Sequence, residues 1–199
     1  MKVIIATGNR HKVAELSELF APYNNKGYEF VSMRDAGFTG DIVEDADTFE
    51  GNALIKARTV CEATGCIAIA DDSGLCVDAL DGKPGVFSAR YAGELADDGR
   101  NNAKLLAELR DVPEEKRTAR FCCVIAAALP DGKTVVAQGE CEGRIGFEKK
   151  GDGDFGYDPL FYLPELGKTY AEISTEEKNA VSHRGKAMRL FAERLLEMK

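Results

Sequence analysis

Four groups of polar residues along this 199-residue chain have types and spacings that could do chemistry. Thr7, Gly8, Asn9 and Lys12 follow the apolar run Val3-Ile4-Ile5-Ala6. Thr7 offers a hydroxyl, Gly8 lets the backbone approach a ligand closely, and Lys12 supplies a point charge for phosphate. The plainer alternative is a helix cap with an exposed lysine. Asp71-Asp72-Ser73-Gly74 stands at the mouth of another apolar run, Ile67–Ala70. Adjacent carboxylates repel unless a cation or a lysine neutralises them. Along a strand they point to different faces, so one can serve structure and the other catalysis. Magnesium takes one or two carboxylates plus substrate phosphate oxygens, which suits this supply; a turn capped by its own aspartates is the alternative.

The third group is Glu44, Asn52 and Lys56. Asn52 and Lys56 are four apart on an expected helix and share a face, and Glu44 lies in the acidic loop before it. Solvated surface is the competing reading. The fourth is Phe155-Gly156-Tyr157-Asp158-Pro159 with Lys178 and Ser182-His183-Arg184. An aromatic beside glycine can stack on a base, Arg184 can fork a phosphate or carbonyl, and Lys178 adds donors. Taken singly, His183 reads as a hydrogen-bonding residue at a helix start before it reads as a catalyst.

The elements that must position these groups follow from periodicity. Val3–Ala6 is a buried strand; Val13, Leu16, Leu19 and Phe20 then recur at helical spacing until Pro22. A strand, a tight polar loop and a helix N-terminus make an anion-binding spot. A second helix begins near Asp47-Thr48 and carries Phe49, Ala53, Leu54, Ala57, Val60 and Cys61. The strand at 67–70 is expected to end abruptly at Asp71–Gly74, with a brief return strand over 75–78 and a loop over Asp81–Gly85. Asp97-Asp98 caps a helix bearing Ala103, Leu105, Leu106 and Leu109. From Arg117 the period becomes two, and Leu129–Lys133 turns the chain into Thr134–Ala137, a long antiparallel hairpin. Residues 147–158 read as loop, and a final helix after Ser182 sets Ala187, Leu190, Phe191 and Leu195 on one side. Without repeats or linkers, residues 1–199 read as one α/β domain with a mixed sheet.

Composition narrows the function classes. Lys and Arg total 26 against 34 Asp and Glu, a net charge of −8, and 44% of residues are hydrophobic. That is the balance of an ordinary soluble domain. No apolar run approaches the ~20 residues that span a bilayer. The N-terminal apolar stretch is too short for a secretory signal, so a cytoplasmic location is the default expectation. The acidic balance disfavours duplex nucleic acid but allows a single nucleotide held by a few lysines and arginines. Six cysteines without a C-x-x-C pair and two histidines give no zinc spacing, and nothing in the pattern marks a nucleophilic thiol. Gly151–Gly156 satisfies G-x-G-x-x-G, yet Lys149-Lys150 precedes it and Tyr157-Asp158-Pro159 follows. A dinucleotide site needs a strand before and a helix after, so that reading is rejected. A Walker phosphate loop is absent from the sequence as well.

The segments A-T-G-N-x-x-K at 6–12, T-F-x-x-N-A at 48–53, A-D-D-S-G-L at 70–75, P-G-x-x-S-A-R-Y at 84–91, F-G-Y-D-P at 155–159 and S-H-R-G at 182–185 resemble, in this order, the inosine triphosphate pyrophosphatase family. The resemblance spans essentially the whole chain. It implies an elongated two-lobed α/β fold around a central cleft, a homodimer, and a requirement for Mg²⁺. The implied activity is hydrolysis of non-standard purine nucleoside triphosphates (ITP, dITP, XTP) to monophosphate and pyrophosphate. Carried over position by position, substrate contacts fall on Thr7, Gly8, Asn9, Arg10, His11, Lys12, Ser73, Phe155, Gly156, Tyr157, Asp158, Lys178, His183 and Arg184. Asp72 matches the catalytic base, Lys56 a lysine near the phosphates, and Glu44 with Asp72 the metal ligands. The loop reads Glu44-Asp45-Ala46-Asp47, which departs from the family's usual pattern and leaves Asp45 or Asp47 as alternative ligands. A broader nucleoside triphosphate pyrophosphatase and a non-hydrolytic nucleotide sensor are the rival functions.

Overall fold

The computed structural model describes residues 1–9, 12–13, 16–18, 21, 27–93, 97–153 and 155–197. Among them seven strands form one mixed sheet in the order β2-β1-β3-β4-β5-β6-β7. The chain divides into two compact units: Met1–Asp72 with Val124–Gln138 and Ala187–Lys199, and Ser73–Cys123 with Gly139–Lys186.

In the first unit, β1 (Lys2–Ile5) lies between β2 (Glu29–Ser32) and β3 (Ile67–Val77), parallel to both. Val3 pairs with Phe30 on one side and Ile67 on the other. Val3, Ile4 and Ile5 are fully buried. A parallel strand covered on both faces needs such an unbroken apolar run, each side chain contributing about 1.5–3 kcal/mol by leaving water. Residues 12–13, 16–18 and 21 are helical, with Leu16 fully buried; Leu19, Phe20 and Pro22 lie outside the described residues.

Helix α1 (Phe49–Thr64) starts where the Thr48 side chain accepts the Gly51 N–H at 3.0 Å. It stops at Gly65, whose left-handed φ of 65° suits glycine and whose N–H reaches the Cys61 carbonyl. Ala57, Val60 and Cys61 pack with Ile4, Ala6, Ala68 and Ala70, and Ala53 with Val124 and Ala126. Small side chains let the helix seat closely, and they leave Asn52 and Lys56 buried on α1.

Strand β3 corrects one expectation. Asp71-Asp72-Ser73-Gly74 is neither a turn nor the end of a strand; β3 runs without a break through all eleven residues from Ile67 to Val77. Turn-forming residue types lose here to the ladder and to lysine partners for both carboxylates, so the chain has no need to leave the sheet.

The second unit contains α2 (Asp98–Glu108), capped as expected by the Asp97 side chain on the Arg100 N–H at 2.9 Å. The hairpin of β4 (Thr118–Ala128) and β5 (Thr134–Ile145) is longer than the sequence pattern suggests, and its turn closes with Leu129 N–H on the Lys133 carbonyl. Short strands β6 (Phe161–Leu163) and β7 (Lys168–Thr169) add antiparallel. Helix α3 (Thr175–Val181) opens on a Ser174–Glu177 capping box, and α4 (His183–Glu197) follows Ser182. Phe121 is the hub of the core. It meets Phe161 edge-on at 4.7 Å and stacks on Tyr170 at 5.7 Å and on His183 at 4.8 Å. Buried Arg117 donates to the Leu109 and Gly146 carbonyls under the Phe147 ring. No described helix is long and apolar enough to cross a membrane.

Gly143 in β5 has no room for a side chain: an added Cβ would stand 2.6 Å from the Phe161 ring and 2.7 Å from the Tyr162 carbonyl oxygen. Gly143→Ala is expected to lower stability by about 1–3 kcal/mol, read as a lower thermal midpoint in a calorimetric scan.

Candidate active site

The first and third sequence groups meet Asp71 and Asp72 of the second within the first unit. The loop after β1 is tied locally: Asn9 N–H donates to Thr7 Oγ1 at 3.2 Å, and the Asn9 side chain accepts from Lys12 N–H at 3.3 Å. That turn sends the Lys12 ammonium to Asp71 Oδ2 at 2.9 Å. Asp71 is fully buried, so Lys12 supplies charge to a carboxylate that water does not reach. A Cβ on Gly8 would meet only Met33 Cε at 3.6 Å, an ordinary contact. The packing of the protein itself therefore does not demand glycine at this position.

On α1, Lys56 Nζ lies 2.6 Å from Glu44 Oε2 and 3.4 Å from Asp72 Oδ1. The other oxygen of Asp72 accepts from Asn52 Nδ2 at 3.3 Å. Burial raises the Asp72 pKa above the usual carboxylate range, and Lys56, Lys12 and Asn52 pull it back only in part. Burial alone would depress Lys56, but Asp72, Asp71 and Glu44 outweigh it and hold the ammonium above the ordinary lysine value.

The arrangement also bears on a divalent ion. Glu44 and Asp72 both present hard oxygens to one positive centre, the Lys56 ammonium. Magnesium uses this kind of pair, completed by phosphate oxygens, so the residues present fit it. Glu44, Asp45 and Asp47 are all exposed, and Glu44 pairs with Lys56. Among the described residues no three His, Cys, Asp or Glu gather into a metal cluster.

The fourth group lies in the second unit together with Ser73. Arg184 Nη2 donates to Ser73 Oγ at 3.1 Å. Lys178 forms an ion pair with Asp158, and its ammonium sits 5.4 Å from the Phe155 ring centre and 5.3 Å from that of Tyr170. Phe155 is exposed, whereas Tyr157 is buried and its hydroxyl donates to the Ser88 carbonyl at 2.8 Å. His183 is buried in the aromatic stack, and the Ser182 hydroxyl accepts from Gly185 N–H. Arg10 and His11 lie outside the described residues.

Three residues are missing from the sequence-derived set. Asp98 Oδ2 accepts from Gly156 N–H at 2.8 Å, and Asn102 Nδ2 donates to the Gly156 carbonyl at 2.8 Å, so the 155–158 turn is held from both of its sides. Asn101 Oδ1 accepts from Ala92 N–H and its Nδ2 donates to the Ala89 carbonyl. The available signal was a pair of adjacent asparagines on an amphipathic helix, where the fully buried amides of Asn101 and Asn102 need specific partners.

Two lysines and three carboxylates gather beside the loop after β1 on a mixed α/β sheet, residue types whose chemistry suits phosphate. Residues 3–194 match the model of the Ham1 family, and the chain belongs to that family. The dITP/XTP pyrophosphatase of Desulforamulus reducens is 56% identical over 190 residues, covering 95% of this chain and 92% of its own. That of Nitratidesulfovibrio vulgaris is 52% identical, covering 98% and 94%. The Staphylococcus aureus Ham1 protein superposes with a TM-score of 0.90 at 39% identity over the full length of both chains.

If the Lys12–Asp71 pair neutralises a buried charge, removing one partner alone must be the damaging change. Lys12→Met is expected to cost about 3 kcal/mol in denaturant unfolding. Adding Asp71→Asn to it should recover most of that loss, which a double-mutant cycle measures.

Proposed function

We propose that this chain hydrolyses non-standard purine nucleoside triphosphates, dITP, ITP and XTP, to the monophosphate and pyrophosphate, with Mg²⁺ as cofactor. It is a nucleoside triphosphate pyrophosphatase, a hydrolase acting on acid anhydrides. The single observation that carries the mechanism is the convergence of Glu44 and Asp72 on Lys56.

Asp72 orients a water against the α-phosphorus and takes its proton as pyrophosphate leaves. Its raised pKa makes it a better proton acceptor than an ordinary surface aspartate. Lys12 and Lys56 neutralise the charge that spreads over the phosphate oxygens, so positioning and electrostatics provide most of the rate. Glu44 and Asp72 would hold Mg²⁺, which when bound draws negative charge from the phosphate oxygens. Thr7, Gly8 and Asn9 offer the turn to the phosphates; the absence of a packing demand for glycine at 8 supports a role in close ligand approach.

Base recognition is assigned to Phe155–Asp158, Lys178, His183 and Arg184. Phe155 offers a ring face and Lys178 and Arg184 offer donors suited to the 6-oxo group of hypoxanthine or xanthine. Adenine presents a donor there instead, and buried donors left unpaired would reject it by orders of magnitude. A homodimer and a cytoplasmic location complete the proposal.

Asp72→Asn keeps the shape and is expected to lower turnover at least about 100-fold in a magnesium-dependent pyrophosphate-release assay. Retention of more than about a tenth of the rate, roughly 1.4 kcal/mol in barrier, would move the base elsewhere. Chelation with EDTA should abolish release and Mg²⁺ should restore it; wild-type binding without release would indicate a sensor. Across a substrate panel, dITP and XTP are expected to turn over at least about 100-fold faster than ATP. Equal rates would favour a broad-specificity pyrophosphatase.

A further inference from the structure

Asn52 is 2% exposed, and its carboxamide is used at both ends. Nδ2 donates to Asp72 Oδ2 at 3.3 Å, while Oδ1 accepts from the Ala46 N–H at 3.0 Å. Ala46 is two residues beyond Glu44 in the acidic loop, and the Asn52 backbone N–H is itself held by the Thr48 carbonyl at 3.1 Å. One side chain on the first turns of α1 thus joins the segment that carries Glu44 to the carboxylate of Asp72. Lys56, one helical turn further along the same face, touches both acids.

These contacts divide the work. Lys56 is a compact point charge that attracts both acids without dictating how their oxygens are turned. A planar amide in a buried setting is directional: its N–H group faces one oxygen of Asp72, and its carbonyl fixes how far the loop stands from helix α1. With Oδ2 engaged by Asn52, Oδ1 is the oxygen of Asp72 directed at the positive centre that Glu44 also faces. Packing alone gives no reason for an amide here, because leucine or methionine would fill similar volume without burying polar atoms.

We infer that Asn52 is a positioning residue for the reaction: it sets the rotation of the Asp72 carboxylate and the reach of the Glu44 loop together, so that the two acids act as one ligand pair. The inference rests on the proposed roles of Asp72 and Glu44. Groups that orient metal ligands typically matter by about 10–100-fold in metal affinity or activity.

The test compares wild type, Asn52→Asp, Asn52→Ala and Asp72→Asn in the pyrophosphate-release assay and in Mn²⁺ binding followed by calorimetry without nucleotide. Asn52→Asp is nearly isosteric and keeps the acceptor for Ala46, but it replaces the donor to Asp72 by a third carboxylate; Asn52→Ala removes the donor without adding charge. Both Asn52 variants are expected to lose about 10–100-fold in kcat, with the nucleotide KM within about 3-fold, and to bind Mn²⁺ about 10-fold more weakly. If Asn52→Ala does not fold, Asn52→Leu, of similar volume and without charge, takes its place in both measurements. The inference is overturned if a folded variant keeps kcat and Mn²⁺ affinity within about 3-fold of wild type, or if activity falls only in step with thermal stability while Mn²⁺ affinity is unchanged. Wild type without pyrophosphate release, or an Asp72→Asn variant as active as wild type, would instead remove the proposed function beneath it.

Discussion

The burial of two adjacent carboxylates in the middle of a strand is the constraint around which the first unit is arranged. Asp71 is fully buried and Asp72 nearly so. An ionised carboxylate taken out of water is tolerable only with charge and hydrogen bonds brought to it. Strand alternation gives the two acids different partners, Lys12 from the loop after β1 and Lys56 from α1. The requirement thereby fixes the trajectory of that loop, the rotation of α1 about its axis, and the approach of Glu44.

Holding β3 straight through Asp71–Gly74 has a further consequence. A turn at this point would release the aspartates to solvent, where each would titrate as an ordinary carboxylate. Kept in the ladder, Asp72 is desolvated and its affinity for a proton rises, while the nearby lysines keep that rise in check. The second unit works with other materials: a stack of Phe121, Tyr170 and His183, and a glycine turn pinned by Asp98 and Asn102.

Much of this architecture could be read from residue order. The apolar run of β1, the Thr48 cap of α1, the Asp97 cap of α2, the period-two hairpin and the apolar side of α4 each have a local cause, and each was found where that cause lies. The short strands β2, β6 and β7 and the seven-residue helix α3 escaped because their stability comes from neighbours across the sheet or beneath the turn. The residue types of Asp71–Gly74 favour a turn in isolation, and only the lysines approaching from distant segments reverse that preference.

For the site, sequence alone determined which side chains can do phosphate chemistry, that Asn52 and Lys56 share a helical face, and that neighbouring aspartates must be neutralised. Those conclusions depend on side-chain chemistry and on the repeat of a helix or strand, which are local properties. Tertiary structure decided that Lys12 serves Asp71 while Lys56 serves Asp72 and Glu44, that Asn52 ties a loop to a strand, and that Asp98 and Asn102 hold Gly156. Such pairings join residues as many as 59 positions apart, as for Lys12 and Asp71. Folding selects them by the free energy of removing charge from water, and no local pattern encodes which distant partner will be within reach.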